Sequence, residues 1–292
     1  MPHPIVISAS RRTDIPAFYM PWFMASVEAG YFEVHNPYNH RISRVPAALE
    51  QVHSIVFWSK NFGPFLDQGF GRALTRRGYR LFFNFTINPE NDILEPKMPP
   101  LAQRQDQMKR LADTFGPECI QWRLDPICFY KVHSGIPTDN LHQVGVIARR
   151  VAESGVRVCI TSFVDLYRKV LRRIDRRGGL KLIEPSMSQK VATITRLADG
   201  LSELGIGLRL CCEKDLLGEL PSGLSVSSGA CIPNERLAAL FGSGISMARD
   251  SGQRVNAGCT CGISKDIGSY KLHPCPHDCL FCYANPKCDT IK

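Results

Sequence analysis

The chain has 292 residues, of which 44% are hydrophobic and 22% are charged, and its formal net charge is +9. This composition excludes disordered and fibrous classes, and the length suffices for one large barrel or two smaller domains. No run approaches the ~18 apolar residues of a membrane span. The amino-terminal stretch also lacks the basic, apolar and small-residue regions of a signal peptide. We therefore expect a cytoplasmic protein with a basic surface that does not enter a membrane.

Strand-length apolar runs alternate with helical stretches along most of the chain. The predicted strands are 5–10, 54–59, 81–87, 119–124, 156–163 and 207–211, and the predicted helices are 17–29, 65–77, 100–115, 140–154 and 188–204. A glycine follows each helix, as is common at helix ends. Residues 31–45 resemble a β-hairpin that turns at 36–40.

The alternation of strands and helices predicts a parallel sheet and an α/β fold. Six such units favour a (β/α) barrel of the TIM type, partial or complete. In that architecture the chemistry lies on loops at the carboxyl ends of the strands, so the polar residues that follow the strands are candidate functional residues.

Three cysteines near the carboxyl end, Cys275, Cys279 and Cys282, have the spacing C-x-x-x-C-x-x-C, and Phe281 precedes the last of them. A 4Fe-4S cluster needs four ligands, so a loop that offers three thiolates leaves one iron open to a ligand that is not protein. In a reducing compartment a high cysteine count favours metal or redox chemistry over disulfides. A zinc site or a closed structural cluster is the competing interpretation.

The stretch CPHDCLFCYAN resembles the cluster loop of radical S-adenosylmethionine (SAM) enzymes. Three shorter stretches, SASRRTDIPAFY, FWSKN and FTINPEN, resemble the spore photoproduct lyase branch of that superfamily in permuted order. The whole chain also resembles a bacterial domain-of-unknown-function family whose members end in a run like CTCGISKDIGSYKLHPCPHDCLFCYAN.

The radical SAM resemblance implies that Cys275, Cys279 and Cys282 bind a 4Fe-4S cluster and that SAM chelates its open iron. An electron from the cluster, supplied by a reducing donor, would then cleave SAM to a 5'-deoxyadenosyl radical. Phe281 would lie against the adenine side of SAM.

Radical SAM enzymes usually carry this loop after their first barrel strand, whereas here it lies in the last 20 residues. A circularly permuted radical SAM barrel would explain the difference, with residues 268–272 as a strand beside 5–10. The resemblance then implies that two polar groups hold SAM: Ser8, Ser10, Arg11, Arg12, Thr13 and Asp14 at its amino acid end, and Asn84, Thr86 and Asn88 at its ribose or carboxylate. The alternative is that these residues are helix caps and a half-polar strand.

Four further cysteines, Cys211, Cys231, Cys259 and Cys261, are candidates for a second cluster, with Cys212 as the alternative to Cys211. Structural zinc and free thiols remain alternatives for this second set. The predicted domain organisation is a barrel over residues 1–258, which a cysteine-rich iron–sulfur segment, 259–292, completes.

The stretch YRKVLRRIDRRGGLK predicts an amphipathic helix with a cationic outer face. Such a face is either solvated or contacts an acidic partner such as nucleic acid. The leading hypothesis is therefore a radical SAM-type enzyme whose substrate the sequence does not reveal. The second is a non-catalytic protein that binds metal, as an iron–sulfur cluster or zinc, or that binds nucleic acid.

Overall fold

The computed structural model describes residues 3–36 and 41–284. Its strands are β1 Ile5–Ala9, β2 Tyr31–His35, β3 Ile42–Pro46, β4 Val52–Ser59, β5 Leu81–Thr86, β6 Ile120–Ile127, β7 Phe129–Val132, β8 Thr138–Asp139, β9 Val158–Phe163, β10 Leu180–Ile183, β11 Gly207–Leu210, β12 Val226–Ser228 and β13 Lys265–Asp266. Its α-helices are α1 Ile15–Phe18, α2 Met20–Ala29, α3 Gly63–Asp67, α4 Phe70–Arg76, α5 Leu101–Phe115, α6 Val144–Glu153, α7 Arg168–Arg177, α8 Met187–Ser202, α9 Lys214–Glu219 and α10 Asn234–Phe241. Short 3-10 turns lie at Leu49–Gln51, Pro117–Cys119 and Val255–Ala257.

Eight strands form one parallel sheet in the order β12-β11-β9-β6-β5-β4-β1-β13. The prediction of an α/β fold is confirmed. From β1 to β12 the strands of this sheet follow one another in chain order, and β13 pairs with β1. Within the described residues β12 and β13 do not pair, so the sheet is open and a complete barrel was the wrong prediction. The edge strands have only three and two residues, which leaves few backbone groups for another ladder.

Each of the six predicted strands is present within a few residues of its expected bounds. Two of the predicted helices are each divided. The first breaks at Tyr19, because Pro21 lacks the backbone N–H of a helix interior and instead opens α2. The second breaks at Gly69, which has a φ of 67°.

The predicted strand at 268–272 is wrong, and β13 at Lys265–Asp266 takes its place beside β1. The reason is a local turn. The Ser269 hydroxyl accepts hydrogen bonds from the backbone N–H groups of Lys271 and Leu272, and the Ser269 carbonyl accepts one from His273. A serine that satisfies the following backbone in this way competes with a strand ladder.

The two smaller sheets are antiparallel. β2 and β3 form the predicted hairpin, and residues 37–40 of its expected turn lie outside the described residues. β10, β7 and β8 form a three-stranded sheet. No helix of the described residues is both long enough and apolar enough to cross a membrane.

The main sheet has one apolar and one polar face. Phe57 and Phe83 lie in register and pack against Phe65 of α3, and Phe115 of α5 contacts Phe83. The alternate residues of the same strands point to the other face, since successive strand residues face opposite sides. Trp58, Asn84 and Gln121 lie there side by side on β4, β5 and β6.

Asp266 joins the short strand β13 to the end of β1. Its carboxylate accepts hydrogen bonds from the hydroxyls of Ser8 (3.0 Å) and Ser10 (2.7 Å) and from the backbone N–H groups of Arg11 (2.8 Å) and Gly268 (3.0 Å). Gly268 is required at its position because a Cβ there would lie 2.0 Å from the Ser10 hydroxyl oxygen. The side chain of one carboxylate thus fixes two chain segments that are 250 residues apart in sequence.

We expect Asp266→Asn to lower the free energy of unfolding by about 1–3 kcal/mol, because an amide N–H₂ would face donors that need an acceptor. Urea unfolding measures the change. Asp113→Asn is the matched control, because Asp113 is exposed and, among the described residues, forms its ion pair with Lys109 on the same helix. Its loss should stay below about 0.5 kcal/mol, and equal losses in the two variants would contradict the role of Asp266.

Candidate metal centre at the strand ends

The loop that carries Cys275, Cys279 and Cys282 follows β13, and its three thiols interact electrostatically, although within the described residues they do not enclose one metal position. Cys279 is buried, whereas Cys275 and Cys282 are partly buried. Burial, with smaller contributions from Asp14 and Cys282, raises the pKa of Cys275 to about 12. Burial also raises the pKa of Cys279 well above its ordinary value, with smaller contributions from Cys282 and Cys275. Without metal these are protonated thiols, and a metal would bind with release of their protons.

Arg173 of α7 holds the backbone of this loop. Its Nη1 donates to the carbonyls of Leu280 and Cys282, both at 2.8 Å, and its Nη2 donates to the Ala284 carbonyl at 3.4 Å. A guanidinium is suited to this because its donors form a fixed planar fork. The same contacts bring a positive charge close to the Cys282 thiol, and this charge acts to lower the thiol's pKa.

A buried ion pair between Lys60 and Glu95 lies beside Cys279. The Lys60 Nζ is 2.6 Å from Glu95 Oε1, and the same oxygen is 3.7 Å from the Cys279 sulfur. Burial alone would raise the pKa of Glu95, but Lys60 outweighs it and the net pKa shift is downward. The Lys60 ammonium also lies 5.4 Å from the centre of the Phe281 ring. Phe281 is buried in an apolar cluster with Leu94 and Cys279.

Asp14 connects the end of β1 to both β4 and the cysteine loop. One carboxylate oxygen accepts from the backbone N–H of Ala17 and caps α1. The other oxygen accepts from the Lys60 backbone N–H (2.9 Å) and from His277 Nε2 (2.8 Å). His277 lies between Cys275 and Cys279, so Asp14 positions the loop through this histidine.

The candidate SAM residues at the end of β1 surround Asp266. Ser8 and Ser10 donate their hydroxyls to it, and Ser10 also accepts the backbone N–H of Arg12. The Arg12 guanidinium donates to the Gly268 carbonyl at 3.0 Å. These residues therefore have structural partners of their own, and sequence alone did not reveal this.

The three candidates on the β5 side occupy different surroundings. Asn84 is fully buried, donates to the Cys231 carbonyl and accepts from Gln121, so it belongs with the second set of cysteines. Asn88 is buried, bridges Glu95 and the backbone of Asp125, and supports the ion pair beside Cys279. Thr86 is partly exposed at the end of β5, in register with Arg123.

Several buried polar atoms near the cysteine loop have no hydrogen-bond partner within residues 3–36 and 41–284. They are Thr13 Oγ1, His273 Nδ1, His277 Nδ1 and Asp278 Oδ1. Most buried polar groups in proteins are hydrogen bonded, and each exception calls for a missing partner or a function. The position of these four atoms beside the loop fits a site for a polar ligand.

The second set of cysteines also converges. The sulfur of Cys211 is 3.5 Å from that of Cys231 and 3.8 Å from that of Cys212. Cys261 accepts the Cys231 backbone N–H at 3.3 Å, and its side chain contacts those of Cys231 and Cys259. In the described part of the chain, no three His, Cys, Asp or Glu side chains enclose a single metal ion.

Fold and site together define an α/β protein whose strand-end loops carry two groups of cysteines. The chain belongs to the family described as "Domain of unknown function (DUF1848)", whose model matches residues 6–284. The predicted membership of a domain-of-unknown-function family is thus confirmed, and membership of the radical SAM superfamily stays a prediction. A comparison with curated proteins gave no match.

We expect Arg173→Gln to accelerate hydrogen exchange of the Leu280 and Cys282 amides at least about tenfold. The lost hydrogen bonds contribute about 0.5–1.5 kcal/mol each, and about 1.4 kcal/mol is a factor of ten. Mass spectrometry of peptides covering 278–284 measures the effect. The control Arg172→Gln changes the exposed neighbour on α7. If both variants exchange at the wild-type rate, Arg173 does not hold the loop.

Proposed function

We propose that this protein is a radical SAM-type enzyme in which Cys275, Cys279 and Cys282 bind a 4Fe-4S cluster. One observation carries the proposal: a single loop carries three thiols that interact electrostatically, and the sulfur of one of them, Cys279, lies 3.7 Å from the Glu95 carboxylate of the buried Lys60–Glu95 pair. Residues 267–284 contain no fourth cysteine. Three thiolates are the protein ligands of a cluster that keeps one iron open.

The surroundings of the loop fit an anionic cluster. Lys60 and Arg173 both lie near the thiols: burial raises the pKa of Cys282 overall, and the two cations act against that rise. Positive charge and hydrogen bonds near the sulfurs are among the means by which a protein tunes a cluster. Asp14 orients the loop through His277, which is the kind of outer support that metal sites commonly have.

The segment 11–14 supports a place for SAM next to the loop. The Arg11 carbonyl accepts a hydrogen bond from the Tyr283 hydroxyl at 2.7 Å, and the Asp14 carboxylate accepts one from His277. This segment therefore contacts the cysteine loop at two residues. Thr13 Oγ1 is a buried group without a hydrogen-bond partner among the described residues, and such a ligand would satisfy it. A hydroxyl suits either end of an amino acid.

The strand order supports a permuted barrel, open between its two edge strands. β13 pairs with β1, and the cysteine loop follows β13 directly. If β13 is counted as the first strand, the loop occupies the position after the first strand that the radical SAM resemblance implies. The polar residues of β1, β5 and β6 then lie at the carboxyl ends of the strands, where such folds carry their chemistry.

When bound, the cluster would supply one electron that breaks the C–S bond of SAM to give methionine and a 5'-deoxyadenosyl radical, which becomes 5'-deoxyadenosine by taking a hydrogen atom from the substrate. The residues of this chain bind and orient the two groups and exclude water, with Phe281, Leu94 and Val164 forming an apolar wall. The reducing electron donor and the substrate are separate molecules.

The test is electron paramagnetic resonance of the anaerobically reconstituted, dithionite-reduced protein with and without SAM. We expect SAM to shift the spectrum, and we expect Cys279→Ala to abolish both that shift and the formation of 5'-deoxyadenosine. Cys128→Ala is the matched control, because Cys128 is fully buried in the same apolar cluster but does not belong to the loop. It should retain the shift.

A spectrum that does not change on adding SAM, or zinc bound in place of iron, would refute the proposed radical SAM-type activity. Either result would favour a non-catalytic metal-binding protein. Retention of the SAM shift in Cys279→Ala would refute the ligand assignment. Circular dichroism of each variant establishes that the sheet is still folded.

A second candidate function, nucleic-acid binding, is favoured by the outer face of α7. Val170 and Ile174 pack into the apolar cluster that contains Cys279, and Arg168, Arg172, Arg176 and Arg177 are exposed on the outer side. Phosphates are natural partners for such a face. Nucleic acid bound there would lie next to the cysteine loop.

We expect Arg172→Gln/Arg176→Gln to weaken DNA binding and to reduce the slope of log K against log salt by about 0.9 per arginine removed. Fluorescence anisotropy with a labelled 20-mer measures both quantities. Arg72→Gln/Arg76→Gln has the same spacing on α4 and serves as the control, since both residues are exposed. Equal slopes for the two double variants would exclude α7 as the binding face.

A further inference from the structure

Five cysteines, rather than the four expected, form a closed ring of side-chain contacts. Cys211 contacts Cys212 and Cys231, with sulfur distances of 3.8 Å and 3.5 Å. Cys231 contacts Cys261, Cys261 contacts Cys259, and Cys259 contacts Cys212. Four of the five are buried, and Cys212 is the partly exposed one. We call these five residues the cysteine ring.

The cysteine ring brings the two ends of the open sheet together. Cys211 and Cys212 directly follow β11, and Cys231 follows β12 at one edge of the sheet. Cys259 and Cys261 precede β13, which is the opposite edge. A backbone hydrogen bond of 3.0 Å from Gly262 to the Ile232 carbonyl runs alongside these contacts. The ring therefore spans the gap that no strand pairing closes in the described residues.

Two arginines point at the sulfurs: Arg123, which is buried on the polar face of the sheet, and Arg11, which is partly buried in the segment after β1. Arg123 Nη1 lies 2.6 Å from the Cys231 sulfur, and the Arg11 guanidinium lies beside Cys261. Both guanidinium groups also lie over the Trp58 ring, at 5.2 Å and 5.3 Å from its centre. Arg11 keeps one buried nitrogen without a hydrogen-bond partner among the described residues. Neutral thiols do not call for two cations, whereas thiolates on a metal centre do.

The contacts run around a ring instead of meeting at a point. A single tetrahedral ion needs its ligands to enclose one position. In an iron–sulfur cluster each cysteine binds a different iron, so the ligands surround a larger group. The donor set fits the second case, because four buried cysteines with two guanidinium groups beside them suit an anionic cluster. The sulfurs of Cys211 and Cys231, now 3.5 Å apart, would separate when a cluster binds.

We propose that Cys211, Cys231, Cys259 and Cys261 hold a second iron–sulfur cluster that fastens the two edges of the sheet together, and that Cys212 is not a ligand. Cys212 is set apart from the other four by its exposure and by its left-handed backbone, with a φ of 59°. The four ligands complete the coordination of this cluster, so it has no open iron. The inference does not depend on SAM chemistry at the first loop.

The experiment counts iron, zinc and acid-labile sulfide in anaerobically reconstituted variants. The parent is the triple variant C275A/C279A/C282A, which removes the first site and leaves the cysteine ring intact. We expect about eight irons per chain in the wild type and about four irons with about four sulfides in the triple variant. Adding C231A and C261A to the triple variant should reduce the iron to near zero. Adding C212A should leave about four irons, and this is the matched control.

The inference would be overturned if the triple variant contains no iron or contains zinc instead. It would also be overturned if adding C231A and C261A to the triple variant leaves its iron content unchanged, or if adding C212A removes the iron. The triple variant alone decides the question if the further substitutions impair folding. If the triple variant retains iron while the wild-type spectrum does not change on adding SAM, this inference holds and the proposed function fails. If the triple variant loses its iron while the wild-type spectrum shifts with SAM, the proposed function holds and this inference fails.

Discussion

The arrangement of the candidate site depends on the carboxylate of Asp266. Four donors from the end of β1 and from the turn after β13 converge on it. β13 has two residues and could not fix its neighbours through backbone pairing alone. Because the cysteine loop begins a few residues after Asp266, this carboxylate determines where the loop leaves the sheet. The loop then reaches Asp14 through His277, and the Lys60–Glu95 pair through Cys279.

The cations of the strand ends are placed next to sulfur. Lys60 and Arg173 lie near the cysteine loop, and Arg11 and Arg123 lie beside the cysteine ring. Burying a cation is costly unless a partner compensates it. Glu95, Asp125 and Asp266 supply part of that compensation. Thiolate sulfurs would supply more, so the burial of these cations and the burial of the cysteines have a common physical explanation.

The sequence predicted the sheet well because long apolar runs such as 54–59 and 81–87 can hardly form anything but buried strands. It failed at 268–272, where a serine-centred turn replaced the expected strand, and no apolar pattern signals such a turn.

The three-cysteine loop could be predicted because its cysteines are close in sequence. The contacts of Arg173 and Glu95 with this loop could not be predicted, because only the tertiary fold brings these two residues next to it. The contact of Asn84 with the Cys231 carbonyl was not predicted, because its strand position could not reveal that the loop after β12 covers it. Cys212 was counted as a substitute for Cys211, whereas the fold brings both into one ring.

The two groups of cysteines differ in a way that bears on what each can do. The loop at 275–282 offers fewer thiols than a cluster has irons, which leaves a position for chemistry. The cysteine ring offers more thiols than a cluster needs, and it lies where the sheet is open. Arg11 connects the two, because its carbonyl accepts the Tyr283 hydroxyl beside the loop and its guanidinium lies against Cys261 of the ring. A change at the cysteine ring that moves Arg11 would therefore also move the segment 11–14, which contacts the cysteine loop. Arg11 thus contacts both groups of cysteines, and in our proposal it couples the cluster that fastens the sheet to the site that is open to SAM.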